Sequence, residues 1–108
     1  MAIDPRTVTS PKERLKDHRV IHEAPDQSIA IPWSLAIGIF DGRRALLVRW
    51  DGDSPLGNPV SSGYPTWFVL PNDLHESSLT VVSEPNQSSA RDWLNGLDPT
   101  NWADKISK

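Results

Sequence analysis

The sequence predicts an α+β fold: a small single domain in which a twisted antiparallel sheet of roughly three to five strands surrounds a hairpin over 33–50, with a C-terminal amphipathic helix packed on one face. Two observations carry this. Asp41-Gly42 stands between two alternating apolar runs, and Asp-Gly is a favoured pair for a two-residue type I′ turn because both central residues need positive φ. Beyond residue 88 the apolar period becomes helical, with Ala90, Trp93, Leu94 and Leu97 at i, i+3, i+4 and i+7.

Residues 1–10 mix Pro, Thr, Ser and single charges with few apolar side chains beyond Ile3 and Val8, and read as a flexible lead-in to a domain over 11–108. Ser10-Pro11-Lys12-Glu13 supplies an N-cap, a Pro for the first helical position and a Glu to close a capping box, which predicts a short helix from Pro11 to His18. No apolar stripe continues it, so Arg19-Val20-Ile21-His22-Glu23 reads as extended and Ala24-Pro25-Asp26-Gln27 as a turn. Pairing outward from Asp41-Gly42 sets Phe40 opposite Arg43, Ile37 opposite Leu46, Leu35 opposite Val48 and Trp33 opposite Trp50. One hairpin face then carries Trp33, Leu35, Ile37, Ile39, Leu46, Val48 and Trp50, with Arg44 at its turn end, and is the expected core. The other carries Phe40, Arg43 and Arg49 around a trough of Ala36, Gly38 and Ala45, which is either roofed by a close helix or left open between arginines.

Residues 51–65 have no period and hold Gly52, Gly57 and Gly63 with Pro55, Pro59 and Pro65, the pattern of a long functional loop. Thr66–Leu70 reads as a third strand and Leu79–Val82 as a fourth. The helix over 88–97 takes Ser88 or Ser89 as its cap and Gly96 as a left-handed C′ residue, with Leu97 folding back. Asp98-Pro99 followed by Trp102, Ala103 and Ile106 suggests a short final helix.

Composition narrows the function. A chain of 108 residues is expected to form one domain with one modest core. Without Cys it has no disulfide, thiolate nucleophile or Cys-type zinc site. It has no run of apolar residues long enough for a membrane span, and its N-terminus lacks a signal-peptide layout, so a soluble, cytoplasmic protein without a membrane partner is expected. Eleven basic and fourteen acidic side chains leave a charge of −3, which argues against a general nucleic-acid binder. Five Trp against two Phe and one Tyr is the unusual figure.

Most motifs resolve to bland readings. His18 and His22 are spaced i, i+4 but lack the Glu of a zincin motif, and Asp51-Gly52-Asp53-Ser54 begins like a calcium loop without completing one, so no metal site is expected. No nucleophile elbow, phosphate cradle or dinucleotide fingerprint occurs, so neither a cofactor nor a catalytic set is assigned. Asn86-Gln87-Ser88 matches the glycosylation pattern, with Ser88 better used as a cap.

Three readings remain. The leading one is a non-enzymatic binding module of the inhibitor, neutralising or accessory-subunit type, docking another protein through the 51–67 loop with Trp50, Leu56, Tyr64 and Trp67, because Trp and Tyr dominate interfaces and Pro lowers the ordering entropy of a loop. The first alternative binds single-stranded nucleic acid through Phe40, Arg43 and Arg49, stacking combined with phosphate pairing. The second is a small hydrolase or isomerase using His75 with Asp73 or Glu76.

Overall fold

The computed structural model describes residues 3–24, 31–52 and 55–103, and the chain forms a small α+β domain. A four-stranded antiparallel sheet has the order β1 (Leu15–Ala24), β2 (Trp33–Phe40), β3 (Arg43–Trp50), β6 (Phe68–Val69), and β4 (Val60–Ser61) with β5 (Tyr64–Pro65) makes a separate two-stranded hairpin. Two helices follow, α1 (His75–Leu79) and α2 (Asn86–Leu94).

The central hairpin has the register that its sequence specifies, from Phe40↔Arg43 to Trp33↔Trp50, around Asp41 and Gly42 at φ 53° and 79°. Its expected core face is buried by the helices: Leu35, Ile37 and Leu46 pack with Ile21, Leu79, Val82 and Ala90, bordered by Trp33, Val48, Trp93 and Trp102. Helix α2 starts at Asn86 rather than Ser88, because the Glu84 carboxylate accepts from both the backbone N–H and the hydroxyl of Ser88 and so caps the first turn from outside. It ends as its glycine predicts, with Gly96 at φ 95° and Leu97 N–H returning to the Asp92 carbonyl at 3.0 Å.

The trough face is roofed by irregular chain rather than a helix. Val8, Leu15, Val20 and Trp67 fill the space over Ala36, Ala45 and Leu47, and Trp67 Nε1 donates to the Val8 carbonyl at 2.9 Å. The N-terminal segment is therefore packed through Val8, with a single 3₁₀ turn at Pro5–Thr7. Gly38 is part of the fit, since a Cβ there would lie 3.1 Å from His18 Cβ.

Four sequence expectations are corrected. The helix over 11–18 does not form: Pro11 O accepts from Arg14 N–H and Leu15 N–H, one turn closes, and the chain then pairs with the free edge of β2. Register shifts between Lys16 and Arg19 and between Val20 and His22 let Leu15 and Val20 face one core and Ile21 the other. The strand over 79–82 is instead the end of α1 and a turn, because Leu79 and Val82 enter the core together at i, i+3 spacing while Val81 stays exposed. The third strand pairs only at Phe68–Val69, with Leu70 N–H adding a bond to the Leu46 carbonyl. No helix follows Pro99 through Ala103; Asn101 O accepts from Ser89 and Ala103 N–H donates to Asn86, tying this tail to α2. Residues 25–27 of the expected turn, Asp53 and Ile106 lie outside the described residues.

Gly57 sits at φ 62°, where a Cβ would overlap the Trp50 carbonyl oxygen. Gly57→Ala is expected to destabilise the domain by about 2–4 kcal/mol, strain at positive φ adding to overpacking. Urea unfolding that shows Gly57→Ala within error of wild type would contradict this placement.

Candidate functional site

The described part of the 51–67 loop is fastened by one buried cation. Arg49 lies on the trough face of β3, and its side chain has no exposure. Its Nε donates to Asp51 Oδ1 at 3.1 Å, Nη1 to the Thr66 carbonyl, and Nη2 to the carbonyls of Leu56 and Trp50. The guanidinium is 5.9 Å from the Trp67 ring centroid. Asp51 is equally enclosed: its second carboxylate oxygen accepts from the Ser34 hydroxyl, and its backbone carbonyl accepts from Ile3 N–H. Burial pushes the Asp51 carboxyl up, against the Ser34 donation and the charge of Arg49 that hold it down. Burial likewise lowers the Arg49 guanidinium, with Asp51 opposing.

Thus fastened at 56 and 66, the loop runs back along β3, where Trp50 and Asn58 exchange two backbone bonds of 2.8 Å, and then projects the β4–β5 hairpin. Ser62 and Gly63, at φ 52° and 83°, make its turn. Between this hairpin and the turn at 10–14 opens a cleft of about 540 Å³. Ser61, Ser62 and Tyr64 form one wall, Ser10 to Arg14 the other, and Phe40, Thr66 and Trp67 the floor. Arg14 lies 4.9 Å over the Phe40 ring and is held there by both carboxylate oxygens of Asp41, at 2.7 and 2.6 Å.

The four candidate docking residues divide. Tyr64, 64% exposed, and Trp67, 5% exposed, line this cleft as rim and floor. Trp50 is 48% exposed but, by strand alternation, stands on the face of Val48 rather than that of Arg49. Leu56 is exposed, with its carbonyl on Arg49. The turn at 10–14 and the hydroxyls of Ser61 and Ser62 were not legible as site residues, because nothing in the sequence signals that residues fifty apart meet. Arg49 did leave a signal: Asp51 lies two residues on, so a strand puts the opposite charges on one face beside small residues.

The nucleic-acid set does not form one surface. Phe40 is half-buried beneath Arg14 and Arg43 is exposed at the hairpin end, but Arg49 is enclosed and has no path to a phosphate. Arg91, another arginine of this half of the chain, pairs with Glu76.

His75 is half-buried, and its Nε2 is enclosed with no hydrogen-bond partner. It lines a hollow of about 370 Å³ with Glu76, yet both Glu76 oxygens bind Arg91 Nε at 3.1 and 3.0 Å, so no carboxylate orients the imidazole among the described residues. His18 and His22 lie on opposite faces of β1, His18 5.9 Å from the Trp67 ring and His22 5.0 Å from Trp33. Among the described residues no cluster of His, Asp and Glu has the makings of a metal site, and no helix is long and apolar enough to cross a membrane. Asn86 is buried, which closes it to glycosylation. Comparison with known proteins finds no matching family model, no matching curated protein and no matching solved structure.

Replacing Arg49 by Met leaves Asp51 as a buried unpaired charge and strips the carbonyls of Leu56 and Thr66 of their donor. Arg49→Met is expected to cost about 3–5 kcal/mol in chemical denaturation, while Trp50→Ala on the exposed face stays within about 1 kcal/mol; equal effects would refute the staple. Burial also lowers the pKa of His18, against the carbonyls of Pro5 and Arg6, and that of His22, against the charge of Glu23. Both imidazoles then bind fewer protons folded than unfolded, so their contribution is complete above the ordinary value of about 6.5 and is lost as pH falls through the lowered folded values. The melting temperature should drop through this window in wild type and drop less in the double variant His18→Gln, His22→Gln.

Proposed function

We propose that the protein is a non-enzymatic binding module that docks another protein through the 51–67 loop, in the manner of an inhibitor, a neutralising partner or an accessory subunit. The observation that carries this reading is the cleft between Tyr64 and the 10–14 turn. It is open to solvent, floored by aromatic side chains, and bordered by a loop that a buried Arg fastens at residues 56 and 66. A loop ordered in advance loses little entropy on binding, which favours affinity at no cost in new contacts. Val60, on the same β4–β5 hairpin, is exposed as well. The absence of Cys and the acidic balance fit a cytoplasmic setting.

The test places a photo-crosslinking residue at position 64, at position 56, or at position 81 on the helical side. Crosslinks to a protein partner are expected from 64 and 56 and not from 81. Tyr64→Ala is expected to weaken capture of that partner about tenfold or more, as for an aromatic interface anchor, with an unchanged melting temperature. Crosslinking from 81 alone would move the interface to the other face.

A further inference from the structure

We propose that two copies of this chain associate through the β6 edge of the sheet, β6 pairing antiparallel with its own image across a two-fold axis at Val69. This second interface is independent of the docking reading above.

The order β1-β2-β3-β6 leaves two outer strands. β6 is held in register by Leu47↔Val69 and Val48↔Phe68, and Leu70 N–H donates to the Leu46 carbonyl at 2.9 Å. Backbone polar groups alternate sides along a strand, so with Leu70 facing β3 the N–H and C=O of Val69 face away from it. Among the described residues nothing bonds to either group. Phe68 and Val69 point to opposite faces of the sheet and are 47% and 46% exposed. Trp67-Phe68-Val69-Leu70 is apolar at every position. Such a run is the pattern of a strand covered on both faces, and a strand added beside β6 covers both side chains at once.

The occupant must be a short, extended, apolar segment with an outward donor and acceptor at its centre, and β6 itself meets that description. With Val69 opposite Val69 of a second copy, each N–H donates to the other carbonyl. Phe68 of one copy then lies beside Leu70 of the other on the helical face, and the two valines meet on the opposite face. The same surface serves both copies, so the contact closes at two. Pro65 and Pro71, which lack an N–H, bound the run and confine the pairing to a few residues.

Charge fits a self-facing surface. A two-fold axis sets each residue near it against its own image, so a charge there repels itself. The sequence from 54 to 72 contains no Asp, Glu, Lys, Arg or His, in a chain of which 23% is charged. The opposite edge, by contrast, presents Lys16, Asp17 and Arg19. A flank made for a dissimilar protein ordinarily carries charges that steer and select it, and this one has none. Two short strands bury far less than the roughly 800 Å² per partner of a standard interface, so the dimer is reversible, with a dissociation constant on the order of 100 µM.

Sedimentation velocity of the whole chain from about 5 to about 500 µM tests the proposal. The mass of the wild type is expected to rise with concentration from 12.0 kDa toward twice that value. Val69→Lys and Val69→Glu each set a charge against its image and are expected to weaken association about tenfold or more. Because the side chain is exposed, both variants should keep the melting temperature of the dilute wild type. An equimolar mixture of the two is expected to restore association, since opposite charges then face across the axis. Hydrogen exchange of the Val69 amide is expected to slow in concentrated wild type relative to dilute. A wild type that stays monomeric throughout the range overturns the proposal. So does association that Val69→Lys leaves intact, or a mixture that associates no better than either variant alone.

Discussion

The enclosed guanidinium of Arg49 is the interaction on which the rest of this structure depends. A fully desolvated cation is tolerable only if its donors are satisfied. Here the partners that satisfy it come from three places: Asp51 at the strand end, Leu56 in the loop, and Thr66 just before β6. Asp51 passes the constraint on, to Ser34 on β2 and to the N-terminal segment through Ile3. One buried charge therefore determines where the long loop leaves the sheet, where it returns, and which layer covers the trough. A loop of this length without regular structure would otherwise sample many paths.

The surplus of tryptophan has a related explanation. Trp67, Trp93 and Trp102 each lie beneath a guanidinium, that of Arg49, Arg44 and Arg19 respectively, at 4.7 to 5.9 Å from the ring centroids, and Phe40 lies beneath Arg14. Each pair seals the edge of a core that is too small to be sealed by aliphatic packing alone. Arg44 does more, since it also donates to the carbonyls of Trp93 and Leu97 and to Asp98. It thereby neutralises the negative end of α2 and anchors it to β3. Trp50 stands apart, exposed and uncovered by any cation.

How far the chain could be read depended on how regular its periods are. The central hairpin was legible residue by residue, because Asp41-Gly42 permits one turn geometry and sixteen strand residues alternate without interruption. The stop of α2 was legible for the same reason, Gly96 having the one conformation a C′ position asks for. β1 was hidden by its bulges: Leu15, Val20 and Ile21 fit neither period, so a capping box that closes a single turn carried the reading toward helix. Leu79–Val82 was too short for period two and period 3.6 to be told apart, and core entry of Leu79 with Val82 settled it as helical. The cleft was half visible. Tyr64 and Trp67 could be picked as bordering a Pro/Gly loop, whereas the opposite wall comes from residues near the N-terminus, and a contact of that kind leaves no trace in one sequence.

The bulges of β1 have one more effect. This strand is the long outer edge of the sheet, and an unbroken row of free N–H and C=O groups there would invite a second chain to add itself. Asp17, at φ 53°, turns the edge out of line, a second irregularity lies between Val20 and His22, and the charged side chains of Lys16, Asp17 and Arg19 stand exposed along it. No stretch of this edge keeps its hydrogen-bonding groups in step for more than a few residues. The same irregularity that hid the strand from periodicity guards the fold against edge-to-edge aggregation.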